Sequence, residues 1–312
     1  ILLAIFYTPA TAQTYPSKPI RIIIPGAAGA PPDILSRAMA QPISQALGQP
    51  WIVENRVGAN GIIGMEAAIK SAPDGYTLSI TQGAPVSLNP YFYSKLPYEP
   101  LRDLVPVANM GIIAASILVS SNVPANSLRE LMDMARAKPE SVLWITWGPG
   151  SFSDLYRAWA ESHFNVRFQE LPYKASNQAY LAILSGEGHV MLNASGALPP
   201  QVKAGKIKVL ATIGANRYRT LPDVPAFSEL GIDMDFRGWV GAFAPVGISR
   251  DIVTRLNTEI NKVLANPEFN EKYLVPGSVE FKPTKPEEFG RFLKVDRELA
   301  ARLTKLAKVK PE

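Results

Sequence analysis

The 312-residue sequence predicts an α/β fold in which two similar lobes face one cleft. Short β-branched runs, typical of buried strands, alternate with longer segments whose apolar residues recur at helical spacing. Glycine-rich turns join several of these strands to the helices that follow them. The middle third of the chain repeats the order of elements of the first third, and this alternation is typical of parallel α/β sheets.

The first predicted element is a strand at residues 22–24, followed by a turn that contains Gly26 and Gly29. Pro32 and Asp33 are typical of a first helical turn, where a missing N–H has no cost. A strand, a glycine turn and a helix start can point free N–H groups at an anion. These residues alone are equally compatible with a plain turn. No Gly-Lys-Ser/Thr follows, which excludes a phosphate P-loop.

Two more strands are predicted in the first third, at residues 51–54 and 76–81. Apolar spacing over residues 34–47 predicts the helix that precedes them, and Pro42 should kink or split that helix. Gln82 follows the third strand, at the end of an open parallel sheet where ligands bind. We therefore expect Gln82 to lie at a binding site.

The middle of the chain continues the alternation of strands and helices. Residues 101–109 are predicted to be an irregular connector. Later strands are predicted at residues 112–120, 142–146, 168–171, 190–192 and 207–212. Residues 147–154 form another glycine-rich junction between a strand and a helix. Two helices with apolar packing faces, at residues 251–264 and 286–305, close the chain.

Two long apolar runs, at residues 112–120 and 236–245, are candidates for strands that cross between the lobes as a hinge. This interpretation divides the chain at the two crossings. It assigns residues 14–113 and 241–312 to lobe 1 and residues 114–240 to lobe 2.

Composition narrows the possible functions. The chain has no cysteine and only two histidines, so thiol chemistry, disulfides and histidine-rich metal sites are excluded. We expect no metal and no cofactor. The formal net charge of +5 suits an anionic ligand, but the sequence has no lysine or arginine block of the kind that tracks nucleic acid.

The N-terminal residues predict export. Residues 1–7 form a short apolar run, and Ala10-Thr11-Ala12 then matches the small-residue pattern of a signal-peptide cleavage site. The run is too short to span a bilayer. We expect cleavage near Ala12, with residues 1–12 as a signal-peptide remnant, and a periplasmic mature protein.

Catalytic patterns are weak. Asp33, Asp154 and Glu170 are possible acid–base groups, but no spacing pairs them. Ser151 lies outside any Gly-x-Ser-x-Gly nucleophile elbow. A binding function is therefore favoured over an enzyme, with low-specificity hydrolysis as the remaining catalytic alternative.

Several motifs together resemble the Bug receptors, which are the solute-binding receptors of tripartite tricarboxylate transporters. The resemblance runs from about Tyr15 to the end of the chain. Its motifs are Pro25-Gly26-x-x-Gly29-x-x-x-Asp33, Glu54-Asn55-Arg56-x-Gly58-Ala59, Ala72-Pro73-Asp74-Gly75-Tyr76-Thr77-Leu78, Pro172-Tyr173-Lys174, Ala204-Gly205-Lys206, Leu221-Pro222-Asp223-Val224-Pro225 and Trp239-x-Gly241-x-Phe243-x-Pro245. Their order and spacing make the resemblance specific.

The resemblance implies a two-lobed periplasmic binding protein of type II-like fold, with two crossing strands as hinge. It implies a monomer that captures a small carboxylate, either a dicarboxylic or an aromatic acid, and presents it to membrane transporter subunits. An orphan receptor that presents the ligand to a signalling partner, or an exported hydrolase, remains an alternative.

The resemblance also implies a set of ligand-binding residues. At the first strand–helix turn, main-chain amides and ordered water would hold the carboxylate at Ile24, Ala27, Gly29, Ala30 and Asp33. The second lobe would contribute Gly148, Gly150, Ser151, Phe152, Ser153, Tyr173, Lys174, Ala175 and Asn193. Helix N-termini carry about half a positive charge, which suits this task.

Some residues depart from the family pattern and bear on the ligand. Trp147 stands where a small residue is common, and with Phe152 or Tyr173 it would form a wall for a flat or apolar ligand. A Trp147 packed beneath the loop, away from the cleft, remains the alternative. Asn193 stands where aspartate is frequent, so a simple carboxylic acid is expected rather than an amino acid. Ala175 replaces a glycine.

Overall fold

A computed structural model describes residues 15–196 and 198–311, which fold around two β-sheets. The predicted signal peptide lies outside the described residues. In chain order the strands are β1 Ile20–Ile24, β2 Trp51–Asn55, β3 Thr77–Gln82, β4 Leu104–Ile113, β5 Ala115–Ser120, β6 Leu143–Thr146, β7 Gln169–Pro172, β8 Val190–Ala194, β9 Ile207–Thr212, β10 Trp239–Pro245 and β11 Val279–Glu280.

The helices lie on the faces of these sheets and between them. They are α1 Pro31–Leu47, α2 Ile62–Ile69, α3 Asn89–Phe92, α4 Pro100–Asp103, α5 Leu128–Ala137, α6 Phe152–Phe164, α7 Ser176–Ser185, α8 Leu198–Lys203, α9 Arg250–Ala265, α10 Pro267–Phe269 and α11 Pro286–Leu306. Shorter helical turns cover residues 59–61, 84–88, 227–230 and 270–274. No described helix is both long enough and apolar enough to cross a membrane.

The two sheets are mixed, so the parallel pairing that the sequence predicts holds for only some of their strands. The first sheet has the order β11-β4-β10-β3-β1-β2 and the second the order β7-β6-β8-β5-β9. Strands that follow one another through a helix are parallel, as in β1 with β2 and β3. Strands that bring the chain from one sheet to the other pair antiparallel: β10 with β3 and β4, and β5 with β8 and β9.

Two segments carry the chain between the sheets, as the sequence predicted. The apolar run 112–120 is not one strand, because it ends β4, passes Ala114 and begins β5. The chain returns at Gly238, just before β10. The Ile113 amide donates a 2.6 Å hydrogen bond to the Gly238 carbonyl, which joins the two crossings directly. These segments form the hinge of the two-lobed fold.

The segment predicted as a connector at residues 101–109 is instead helix α4 and most of β4. Pro106 and Asn109, which are unfavourable in regular strands, made this stretch look irregular. Each lies next to a shift in the β4–β10 register, where the ladder is interrupted. Of the two outcomes predicted for Pro42, a split of the helix is wrong, because Pro42 lies inside the continuous helix α1.

Helix α11 packs against both lobes. Phe289 and Leu293, in its first half, belong to a cluster with Trp239 of the first sheet. Ala300 and Leu303, in its second half, belong to the core that covers the second sheet. The division into lobes stays a prediction, and α11 packs against residues that it assigns to both lobes.

Candidate ligand-binding site

A cavity of about 580 Å³ lies between the two sheets, next to the hinge. Its volume falls in the range of small-molecule sites. The first-sheet side is formed by Asn60, Gln82, Gly83, Ala84, Leu88 and Phe92. The second-sheet side is formed by Trp147, Pro149, Gly150, Ser151, Phe152, Ser176, Leu192, Asn193 and Ala194, and the crossings add Ile113, Ala115 and Gly238.

The described residues that line this cavity carry no charged side chain. Its polar groups are amides and hydroxyls, and the remaining surface is aliphatic, aromatic or glycine. An anion bound here would be held by neutral donors. Elsewhere among residues 15–196 and 198–311, no group of three or more His, Asp or Glu is placed to hold a metal ion.

On the first-sheet side the wall is formed where β3 ends. Gln82 is exposed and lines the cavity, with its side-chain amide available to a ligand. Gly83 allows the indole of Trp239 to approach closely, because a Cβ at position 83 would lie 2.8 Å from Trp239 Nε1. The end of β3 thus presents the Gln82 side-chain amide to the cavity, next to the close contact between Gly83 and Trp239.

On the second-sheet side the wall is the junction between β6 and α6. Ser151 is the N-cap of α6, and its hydroxyl accepts a 3.3 Å hydrogen bond from the Asp154 amide. The first-turn amides of Phe152 and Ser153 have no acceptor among the described residues. The positive end of a thirteen-residue helix therefore adjoins the cavity.

The first strand–helix turn is built in the same way, with an aspartate of the first helical turn that accepts a hydrogen bond from a glycine amide four residues earlier. The Gly29 amide donates to Asp33 Oδ2 at 2.9 Å, just as the Gly150 amide donates to Asp154 Oδ2 at 2.8 Å. Burial raises the pKa of Asp33, but the Gly29 amide and the Arg37 guanidinium outweigh burial and hold that pKa below its ordinary value.

None of the five residues predicted at this first turn lines the cavity. Ile24 is buried within β1, Ala27 and Gly29 are exposed, and the Ala30 amide donates to the Ala27 carbonyl at 3.2 Å. Helix α1 begins with two prolines, which lack the N–H groups that a helix N-terminus otherwise offers. The two prolines remove two N–H groups from the start of α1.

The structure brings six of the predicted residues together: Gln82, Trp147, Gly150, Ser151, Phe152 and Asn193. Gly148, Tyr173, Lys174 and Ala175 do not line the cavity. Ser153 is fully buried, and its hydroxyl donates to the Ile145 carbonyl at 2.6 Å and accepts from the Leu192 amide at 3.2 Å. Its side chain thus ties α6 to the sheet rather than facing a ligand.

Two aromatic rings border the second-sheet side. Trp147 is half-buried, packs against the core cluster that contains Ile145 and Met191, and lines the cavity. The Phe152 ring is stacked on Phe236, with centroids 5.2 Å apart and planes inclined by 15°. Of the two partners considered for Trp147, Phe152 lines the same cavity, whereas Tyr173 does not.

Sequence reasoning missed the segment that follows Gln82. Residues 84–92 form two consecutive helical turns, from which Leu88 and Phe92 reach the cavity. A Cβ at Gly150 would lie 2.7 Å from the Phe92 ring, so this segment touches the opposite wall. Its position directly after the strand end that Gln82 marks was the signal in the sequence.

A buried carboxylate lies behind the first-sheet wall. Asp296 of α11 is 2% exposed and accepts hydrogen bonds from Ser87 Oγ at 2.5 Å and Trp239 Nε1 at 2.8 Å. Burial raises the pKa of Asp296 to about 6. No lysine, arginine or histidine among the described residues forms an ion pair with it.

Comparison with known proteins gives a consistent result. A family profile described as tripartite tricarboxylate transporter family receptor matches residues 35–305. Protein BugT of Bordetella pertussis is 30% identical over 304 residues, covering 95% of this chain and 93% of BugT.

Two solved structures are similar over their whole length. The TctC solute-binding protein from Polaromonas is 27% identical with a TM-score of 0.84, over 95% of this chain and 99% of that one. Rpa4515 of R. palustris, solved with adipate, is 26% identical with a TM-score of 0.77, over 96% of this chain and all of that one.

Proposed function

This chain belongs to the tripartite tricarboxylate transporter receptor family, and on that premise we propose that it captures a small carboxylate in the cavity between its sheets. It would do so in the periplasm and deliver the ligand to the membrane subunits of a transporter. The fold and the family are those of binding receptors.

The observation that carries this proposal is the uncharged cavity beside the start of α6. Neutral donors at a helix N-terminus stabilise an anion. They hold it without a buried ion pair, whose separation would leave an uncompensated buried charge. Reversible binding is what a receptor that must release its cargo needs. The adipate complex of Rpa4515 supports a carboxylate as the class of ligand.

Capture would proceed by closure of the lobes about the crossings at Ile113 and Gly238. A ligand that contacts both cavity walls has more contacts in the closed form than in the open form. It therefore shifts the population toward closure by the difference in its affinity for the two forms. The closed surface would be the one that transporter subunits recognise.

A thermal-shift screen tests the proposed function. The full chain is heated with aliphatic and aromatic monocarboxylates and dicarboxylates, each beside its uncharged amide. A ligand that binds only the folded protein raises Tm by mass action. We expect at least one carboxylate to raise Tm in a dose-dependent manner while its amide does not. Equal shifts with the amides, or no shift with any carboxylate, would contradict the proposal.

A further inference from the structure

We propose that contacts behind the two crossings, on the side away from the ligand cavity, oppose closure of the lobes and thereby lower the affinity for the ligand. The first of these rear contacts is the ion pair between Arg219 and Glu271. The second is a hydrogen bond that the Gly196 amide donates to the Ser278 hydroxyl. This inference rests on the proposed function, because it concerns the closure that accompanies capture.

The order of the strands places the rear contacts opposite the ligand cavity. In the first sheet, β4 and β10 separate β11 from β3, and in the second sheet β5 separates β9 from β8 and β6. The cavity walls are formed where β3, β6 and β8 end. In contrast, Ser278 directly precedes β11, and Arg219 lies in the loop that follows β9. The strands of the crossings therefore lie between the cavity and the rear contacts.

A separate cavity of about 220 Å³, the rear cavity, adjoins these contacts. Arg219 and Ser278 line it, and no described residue lines both this cavity and the ligand cavity. Along the first crossing, Ile113 and Ala115 line the ligand cavity, whereas Ala114 between them lines the rear cavity. The two cavities therefore lie on different sides of this crossing.

The ion pair joins segments that are anchored in different cores. Tyr218, next to Arg219, is buried in the core of the second sheet. Phe269 and Leu274, on either side of Glu271, are buried in the core of the first sheet. Arg219 Nη1 and Glu271 Oε1 are 2.8 Å apart. This contact therefore ties one sheet to the other at the surface of the protein.

The hydrogen bond between Gly196 and Ser278 joins the same two sheets closer to the crossing. Gly196 follows β8 of the second sheet, and Ser278 precedes β11 of the first. The Ser278 carbonyl also accepts a 2.7 Å hydrogen bond from the Ala114 amide, within the first crossing. A Cβ at Gly196 would lie 2.7 Å from the Pro276 carbonyl oxygen, so the two segments are packed closely.

The position of the rear contacts determines how closure affects them. Hinge closure is a rotation of one lobe about the crossings. Atoms on the two sides of such an axis move in opposite directions, so the rear contacts lengthen as the ligand cavity narrows. Their loss makes the closed form less populated in the unliganded protein. Because the apparent affinity falls with the fraction of binding-competent protein, these contacts weaken ligand binding from outside the cavity.

Charge reversal of the ion pair tests the proposal on the full chain. Arg219→Glu and Glu271→Arg each replace an attraction by a repulsion, and the double variant restores the attraction with the charges exchanged. The two side chains are 67% and 60% exposed. An exposed ion pair changes an equilibrium by about fivefold at most. We expect each single reversal to raise the ratio of closed to open protein by about two- to fivefold and the double variant to return it toward wild type.

The matched control is Arg250→Glu. Arg250 forms a 3.0 Å ion pair with Glu287, and both side chains are exposed. This pair joins α9 to the first turn of α11, and both of these segments pack on the first sheet. We expect the control to leave closure and affinity unchanged. An effect of Arg250→Glu as large as that of the two reversals would overturn the proposal.

The distance between two spin labels measures closure without a ligand. Because the chain has no cysteine, Ile63→Cys and Leu181→Cys provide two unique labelling sites. These residues are 53% and 65% exposed, and each follows a cavity-lining residue, Asn60 or Ser176, in the same segment of the chain. We expect more of the short distances in each single reversal than in the labelled wild type. Unchanged or longer distances in both reversals would overturn the proposal.

Calorimetry with adipate, the acid in the Rpa4515 structure, gives a second measurement. We expect each single reversal to bind adipate about two- to fivefold more tightly than wild type. A folding defect would weaken binding instead, so the sign of the change separates the two explanations. Unchanged or weaker adipate binding in both reversals would overturn the proposal. If wild type does not bind adipate, the distances alone decide.

Failure of this proposal is distinguishable from failure of the proposed function. If carboxylates bind but neither reversal changes closure or affinity, the rear contacts do not oppose closure and the receptor function stands. If no carboxylate raises Tm in the thermal-shift screen, the receptor function falls. The label distances still report in that case whether the rear contacts hold the lobes apart.

Discussion

Asp33 and Asp154 lie in the first turns of α1 and α6, and their hydrogen-bond partners differ from those of the buried Asp296. Asp33 and Asp154 each accept a hydrogen bond from the backbone amide four residues earlier, and each forms an ion pair with an arginine. Asp296 has only a hydroxyl and an indole N–H as donors. The glycine-turn motifs predicted the positions of Asp33 and Asp154 at helix starts. The sequence did not identify Asp296, because nothing in a helical repeat marks one polar position as buried.

The charge of Asp296 predicts a pH-dependent stability. Burial raises the pKa of Asp296 from 3.8 to about 6, so the folded protein binds this proton more tightly than the unfolded chain. The associated stability is fully present below about pH 4 and is lost as the pH rises through 6. In Asp296→Asn this loss is absent. Relative to wild type, the variant should gain about 2–3 kcal/mol between pH 4 and pH 7.

Urea unfolding at several pH values measures this difference. The matched control is Asp133→Asn, whose carboxylate is 56% exposed and paired with Arg136 on the surface. We expect the control to change the free energy of unfolding by less than about 0.5 kcal/mol at every pH. Parallel curves for wild type and Asp296→Asn would show that Asp296 is not responsible.

At the scale of elements, the regular helices and strands were predictable and the interrupted ones were not. Strands β1 to β3 and helices α9 and α11 have clear periodicity, and their bounds agree with the prediction to within a few residues. The helical turns at residues 84–92 were not predicted, because Pro85 and Pro90 interrupt the apolar spacing of a helix. Strand β4 was not predicted over its full length, because its register shifts accommodate residues that a regular strand excludes.

The two glycine junctions provide a prediction at this scale. Gly29 and Gly150 both have a positive φ, of 81° and 73°, so alanine at either site costs about 1 kcal/mol in backbone strain. A Cβ at Gly29 meets open space, whereas at Gly150 it would press on the Phe92 ring across the cavity. We expect Gly150→Ala to weaken carboxylate binding at least about fivefold and Gly29→Ala by less than about twofold.

Calorimetry on both variants, with Tm as a check on folding, decides between the two junctions. If Gly29→Ala weakens binding more than Gly150→Ala, the carboxylate is held at the first turn, as the family resemblance implies. The cavity beside α6 would then not be the anion site.

At the scale of the whole molecule, the two sheets, the paired crossings and a shared C-terminal helix form one hinged unit. Residues from both sheets meet in one cavity although they lie far apart in the sequence, for example Gln82 and Asn193. The sequence predicts that such residues lie at strand ends. It does not indicate which strand ends face each other across the cleft. The distance between walls depends on the packing of residues 84–92 against Gly150, which no local pattern encodes.

The location of the ligand in a crystal structure tests the account most directly. Crystals of the full chain are grown with the carboxylate that raises Tm most in the thermal-shift screen. We predict carboxylate oxygens within about 3 Å of Ser151 Oγ or the Phe152 amide. A ligand bound instead at residues 27–30, or outside the cavity between the sheets, would contradict the account.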